Sequence, residues 1–136
     1  MLNKHAQDWV ADLRSGKFTQ TTGRLTGIYL DDTDGIKVIG NCCLGVACER
    51  FITENPGVLE IDNTAVTGEG QSRSYSGEES FLPEEVIDWL GLRSSGGEFY
   101  NSDGDYSQLY NLNDDGMSFS DLADIIEAEP EGLFKS

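Results

Sequence analysis

The 136-residue sequence predicts an α+β fold, with three to four helices packed on a small, mostly antiparallel sheet in a single domain. Three observations predict it. Apolar residues recur at three- and four-residue spacing in four separate segments, the signature of helices with one buried face. Between the first two of these lie two short runs of strand-forming residues around a glycine turn. Hydrophobic residues make up 38% of the chain, enough for one core without metal or disulfide staples.

The elements follow in order. Ala6, Trp9, Val10 and Leu13 form the first stripe, with Asn3 suited to cap its start and Gly16 to stop it in a left-handed conformation. The polar stretch KFTQTTGRLTG, with Arg24 between Gly23 and Leu25, leads into GIYLDDTDGIKVIG. This segment predicts a β-hairpin whose turn ends in Asp34-Gly35, where glycine adopts positive φ without strain. From Asn41, a predicted cap, the period changes: Leu44, Ala47, Cys48, Phe51 and Ile52 share one helical face, and Pro56-Gly57 closes the unit.

Residues 58–80 are rich in Gly, Ser, Thr and Glu and predict a variable loop or hairpin, with strands around 58–61 and 65–66. FLPEEVIDWLGL restores a helix: Pro83 suits its first position, Glu84 and Glu85 its positive end, and Gly91 its stop. Val86, Trp89 and Leu90 are its predicted core face. A short strand at Glu98–Tyr100 and a helical turn around 107–112 precede the last helix. There Ser118 and Asp121 have capping-box spacing, Phe119, Leu122, Ile125 and Ile126 form the stripe, and Pro130 ends it.

Charge is the strongest global property. Acidic residues number 25 against 9 basic ones, a formal net charge of −16, which argues against direct nucleic-acid binding and against anionic membranes. The carboxylates are spread along the chain, which fits solubility, a saline host, or imitation of DNA towards a basic protein. No stretch reaches the length of a membrane span and the first residues do not read as a secretory leader, so a cytoplasmic location with reduced cysteines is expected.

Several chemistries are then tested on the residues. GNCCLGVACERF holds Cys42, Cys43 and Cys48, but no pair has zinc-ligand spacing, and His5 is the only imidazole. A thiol at a helix start can ionise early, yet a nucleophile needs a base, so the plainer reading is small side chains packed at the start of a buried helix. NLNDDGMSFSDL resembles a calcium loop until its last position, where Leu122 stands in place of a bidentate acid. NSDGDYSQLYNL fails likewise, with Tyr106 at the glycine position and Leu112 at the end. No phosphate-binding glycine motif occurs. No catalytic residue, metal ligand or cofactor is assigned.

What remains is recognition. FYNSDGDYSQLYNLN gathers Tyr100, Tyr106 and Tyr110 among Asn, Ser, Asp and Gly, a mixture in which tyrosine gives rigid contact area and small polar residues adapt. Tyrosines also stack on nucleobases, while phosphates need cations, and Arg24, Arg73 and Arg93 stand in Gly/Ser-rich contexts, of which Arg24 and Arg93 are taken as candidates. With Asn41 and Cys43 at the mouth of the second helix, these residues are the candidate ligand-binding set. The plain alternative is an ordinary loop whose tyrosines cover the edge of the core.

WVADLRSGKFTQTTGRL, NCCLGVACERF, LPEEVIDWLGL and LNDDGMSFSDLADIIE occur in that order, and together they resemble a family of small accessory proteins encoded by tailed bacteriophages. The resemblance covers most of the chain, leaving 58–80 and 94–105 as variable parts. This chain departs from the pattern in its acidity and in Ala47-Cys48-Glu49, where Leu-Cys-Asp is more usual. The resemblance implies action against host systems in the host cytoplasm. The expected function is non-catalytic sequestration of a nucleotide-derived immune signal, a cyclic or ADP-ribose-type nucleotide, with homo-oligomerisation allowed. Its rivals are a DNA-mimicking inhibitor of a host nuclease or other basic defence protein, and an enzyme degrading a signalling nucleotide.

Overall fold

The computed structural model describes residues 2–31, 35–67 and 70–135. Helix α1 (Lys4–Arg14) starts as its sequence dictates: the Asn3 side chain accepts a hydrogen bond from Ala6 N at 2.8 Å, and Gly16 leaves the helix at φ +78°. Its buried face carries Ala6, Trp9, Val10 and Leu13. Strands β1 (Thr26–Asp31) and β2 (Gly35–Asn41) form the predicted antiparallel hairpin; Gly35 has φ +84°, and Asp34 lies outside the described residues.

Helix α2 (Cys43–Glu54) follows without a loop, and this close succession corrects the predicted cap. Asn41 is still part of β2, opposite Thr26, and its amide donates to Thr26 Oγ1 at 2.8 Å. The N-cap is instead Cys42, whose Sγ accepts from Gly45 N at 3.4 Å.

Residues 58–80 form a hairpin of β3 (Ile61–Thr67) and β4 (Gly70–Tyr75), giving an antiparallel sheet in the order β2-β1-β4-β3. The two strands expected near 58–61 and 65–66 are one strand, beginning at Ile61. Strand β4 escaped prediction because QSRSY carries almost no apolar signal. It is held by hydrogen bonding within the sheet: Ser72, Ser74 and Tyr75 are all buried, and the Tyr75 hydroxyl bonds Thr26 and Glu49.

Helix α3 (Glu84–Leu90) begins one residue later than expected, with Pro83 in the capping position, and ends at Gly91 with φ +79°. Val86 and Leu90 are buried, whereas Trp89 is half-buried and stacks on His5 with ring centroids 4.3 Å apart. A second, two-stranded sheet pairs β5 (Glu98–Tyr100) with β6 (Tyr106–Gln108). That pairing delays α4 (Leu109–Asp114) relative to the helical turn expected from residue 107. Helix α5 (Phe119–Glu127) has Ser118 as its cap, accepting from Asp121 N at 3.1 Å. The α+β class therefore holds, with five helices among the described residues because α4 stands apart from α5. Among those residues, no helix is long and apolar enough to cross a membrane.

One contact places α2 against the sheet. A Cβ on Gly45 would lie 1.7 Å from the carbonyl oxygen of Leu25, so the helix backbone rests directly on the chain entering β1. The same carbonyl accepts from Cys42 N at 2.9 Å. The start of α2 is thereby buried, and its next free amide needs a partner inside the protein. Asn113, fully buried in α4, supplies it: Oδ1 accepts from Cys43 N at 3.0 Å and from Gln20 Nε2 at 2.8 Å, while Nδ2 donates to Thr21 O at 2.8 Å. Trp9 Nε1 adds a bond of 2.8 Å to Cys43 O.

Two substitutions test this joint. Gly45→Ala is expected to destabilise the fold by about 3 kcal/mol or more, since backbone rather than a flexible side chain must give way. Asn113→Ala leaves the buried Cys43 N and the part-buried Thr21 O without this partner and is expected to cost about 2–4 kcal/mol. Urea unfolding followed by circular dichroism measures both.

Candidate functional site

The β5-β6 hairpin builds the site. Alternation along β5 buries Phe99 and turns Glu98 and Tyr100 outward. Tyr106 on β6 is the cross-strand partner of Tyr100, so Glu98, Tyr100 and Tyr106 share one face. The tight turn between the strands is set by Asn101, whose Oδ1 accepts from Asp103 N and Asp105 N at 3.0 Å each. The two tyrosine rings meet edge to face, with centroids 6.1 Å apart and planes at 69°. They stay 46% and 55% exposed, which leaves ring surface open to solvent.

Tyr100 is held from behind. Its amide donates to Glu131 O at 2.8 Å, and a Cβ on Gly132 would come within 3.4 Å of its ring, so the C-terminal segment forms a flat support. Arg93, anchored by its own amide on Leu133 O at 3.0 Å, completes a groove of about 230 Å³ with Ser94, Glu98, Tyr100, Tyr106 and Gly132. Ser94 Oγ accepts from Glu98 N at 2.8 Å and fixes the start of the strand. The Tyr106 phenol is pushed up from its ordinary value, by desolvation first and then by its hydrogen bond to Glu98, so it remains a neutral donor.

The structure therefore brings together three residues of the sequence-predicted set: Arg93, Tyr100 and Tyr106. Tyr110 lies in the first turn of α4 and packs on Phe81, with centroids 4.8 Å apart, outside the groove lining. Arg24 is used within the fold: its Nη1 donates to Gln71 O at 2.9 Å, and its guanidinium lies over Gly27, where a Cβ would come within 2.7 Å. Asn41 and Cys43 are 2% and 0% exposed. Their polar groups are engaged by Thr26 and Asn113, so their place is the joint of the core and not a ligand-facing surface. Glu98, Ser94 and Gly132 went unnoticed in the sequence. Glu98 had a signal, two residues before Tyr100 in a predicted strand; Gly132 had none, because its role arises from a contact across the chain.

A larger groove of about 560 Å³ runs beside α3, lined by Glu78, Glu84, Glu85 and Asp88 with Arg93 and Lys135. It is the poorer candidate on chemistry, despite its size. Its four carboxylates outnumber its two cations, Lys135 already pairs with Asp88 at 2.9 Å, and no aromatic ring lines it.

The cysteines are fully buried and free. Burial pushes the Cys42 thiol up to about 12, and Cys43 and Cys48 well above their ordinary value, so none is a thiolate at neutral pH. A second buried cluster is also structural. Asn41 bonds Thr26, Thr26 bonds the Tyr75 hydroxyl, and Tyr75 donates to Glu49 at 2.6 Å, while Arg73 closes on Glu49 at 2.7 Å. This chain stitches β1, β4 and α2 across the sheet.

Fold and groove together define a small α+β protein with a surface groove lined by two tyrosines and one arginine. The chain belongs to the family described as a domain of unknown function, DUF8296, whose model matches residues 1–130. No curated protein and no solved structure matches it.

The thiols give a direct check on the core. In the native state all three are expected to resist a thiol reagent at neutral pH and to react together on unfolding. Their pKa values are raised on folding, so above the ordinary thiol value of 9.0 the unfolded chain binds fewer protons than the folded one. Stability is then full below pH 9.0 and falls as pH rises towards about 12. Thermal melts across that range are expected to shift down steeply, and less steeply in Cys48→Ala.

Proposed function

We propose that this protein is a non-catalytic binding protein whose groove at Arg93, Tyr100 and Tyr106 captures a nucleotide-derived ligand. The observation that supports this most is the convergence of those three residues in one groove, two exposed rings for stacking and one cation for a phosphate. Catalysis by a thiol nucleophile is disfavoured by buried, protonated cysteines, and the lone imidazole of His5 is engaged with Trp89. In the setting that the phage resemblance implies, the ligand is a cyclic or ADP-ribose-type immune signal, held in stoichiometric complex in the host cytoplasm.

A second reading is favoured by a different observation. Lys4, Arg14, Arg50, Arg73 and Lys135 are each paired with carboxylates of the chain itself. Internal pairing withdraws much of the positive charge and leaves residues such as Glu84, Glu85, Asp103, Asp105 and Asp121 facing solvent. Such a surface suits an inhibitor that imitates nucleic acid towards a basic defence protein.

Calorimetry against cyclic dinucleotides and ADP-ribose derivatives separates the two. Binding with Kd below about 100 μM, weakened about tenfold in Arg93→Ala and in Tyr106→Ala, supports the groove. No heat from any of them sinks it. Capture of a basic host protein that is lost between about 50 and 200 mM salt supports the inhibitor.

A further inference from the structure

Glu98 is the feature of the groove that phosphate recognition does not explain. A carboxylate beside the only cation of the lining opposes an anionic ligand, so its presence needs another role. Alternation along β5 places it on the same face as Tyr100 and diagonally across from Tyr106, and it therefore meets the edge of whatever stacks on the rings. The Ser94 contact fixes its backbone, and its exposed carboxylate retains acceptor sites beyond the one that Tyr106 occupies.

Resting on the nucleotide reading above, we propose that the groove is selective for guanine, with Glu98 accepting from the N1–H and the exocyclic amine of a base stacked on one of the two tyrosine rings and meeting the other edge-on, and Arg93 taking one phosphate. Guanine presents two donors side by side on its pairing edge, which match the two oxygens of a carboxylate. Adenine presents a ring lone pair beside its amine, and that lone pair would face the carboxylate. The groove, about 230 Å³, is smaller than the roughly 300–1,000 Å³ usual for a whole ligand, so it holds a ring system and leaves sugar and phosphate at the rim. A single arginine beside Glu98 and near Glu131 further favours a ligand with one phosphate group per base over a polyphosphate, so the guanine assignment selects a cyclic nucleotide over the ADP-ribose type, which carries adenine and two phosphates.

Calorimetric titration of the intact protein with GMP, AMP and 2′-deoxy-GMP tests this. GMP is expected to bind about tenfold more tightly than AMP, and 2′-deoxy-GMP within about twofold of GMP. Glu98→Gln replaces one acceptor with a donor and is expected to reduce the preference below about threefold, with the circular dichroism spectrum unchanged since Glu98 is exposed. Equal affinity for AMP and GMP overturns the guanine assignment while leaving the groove as a nucleotide site. Loss of binding on removing the 2′-hydroxyl places Glu98 on the ribose and overturns it equally. Failure of all three nucleotides to bind overturns the guanine assignment, and the nucleotide reading falls with it when the cyclic dinucleotides and ADP-ribose derivatives give no heat either.

Discussion

The contact of Gly45 with the Leu25 carbonyl is the constraint from which the rest of the structure follows. Two backbones can approach this closely only where no side chain intervenes, and α2 has glycine at that point. The approach buries the N-terminus of α2, and a buried helix start cannot leave its amides to water. Cys42 N is satisfied by Leu25 itself, and Cys43 N by an asparagine 70 residues further along the chain. Asn113 thus ties α4 to α2 by hydrogen-bond geometry, in addition to apolar packing. Because α4 begins where β6 ends, with Leu109 N bonded to Gly97 O and Tyr110 N to Gly96 O, the same joint positions the hairpin that carries the groove. The site is peripheral, but its orientation is set in the core.

This dependence explains why the residues most conspicuous in the sequence are not those of the groove. GNCCLG reads as chemistry because cysteines are rare and reactive, yet each of its residues answers a packing or hydrogen-bonding demand. Asn41 orients Thr26 and through it Tyr75. Cys42 caps the helix, and Cys43 meets both Trp9 and Asn113 through its backbone. Burial then removes the reactivity that made the motif suggestive, since a thiol without solvent or a nearby cation does not ionise at neutral pH.

The helices were legible because each carries its own signal: a stripe at helical spacing, an Asn3 or Ser118 cap, a Gly91 stop. The β1-β2 hairpin was legible for the same reason. Strand β4 was not, because its stability lies in partners. Ser72 and Ser74 become core residues only between β1 and β3, and no local property of a serine announces that. The groove was half legible. Aromatic and cationic residues in polar contexts pointed to Arg93, Tyr100 and Tyr106, but Arg24 matched the same description and serves instead to lock β1 to β4. Composition identifies residues able to bind; only topology decides which of them face solvent together.

The global charge and the groove then bear on one another. A protein at −16 repels every anion at long range, more strongly with each charge the anion carries, although salt screens the effect beyond roughly 10 Å. Many of the cations that could offset this are committed to holding helices together, as Arg14 is to Asp124 and Glu127 and Arg50 is to Asp12. A ligand that overcomes the field must gain its affinity from stacking and from specific hydrogen bonds, with charge neutralisation the smaller part. The same field opposes polyanions most, and on the nucleotide reading proposed for the groove a compact base with a single phosphate is repelled less and gains the tyrosines. Selectivity by repulsion needs no extra contact, so on that proposed reading the acidity of the chain and the one arginine of the groove act on the ligand together.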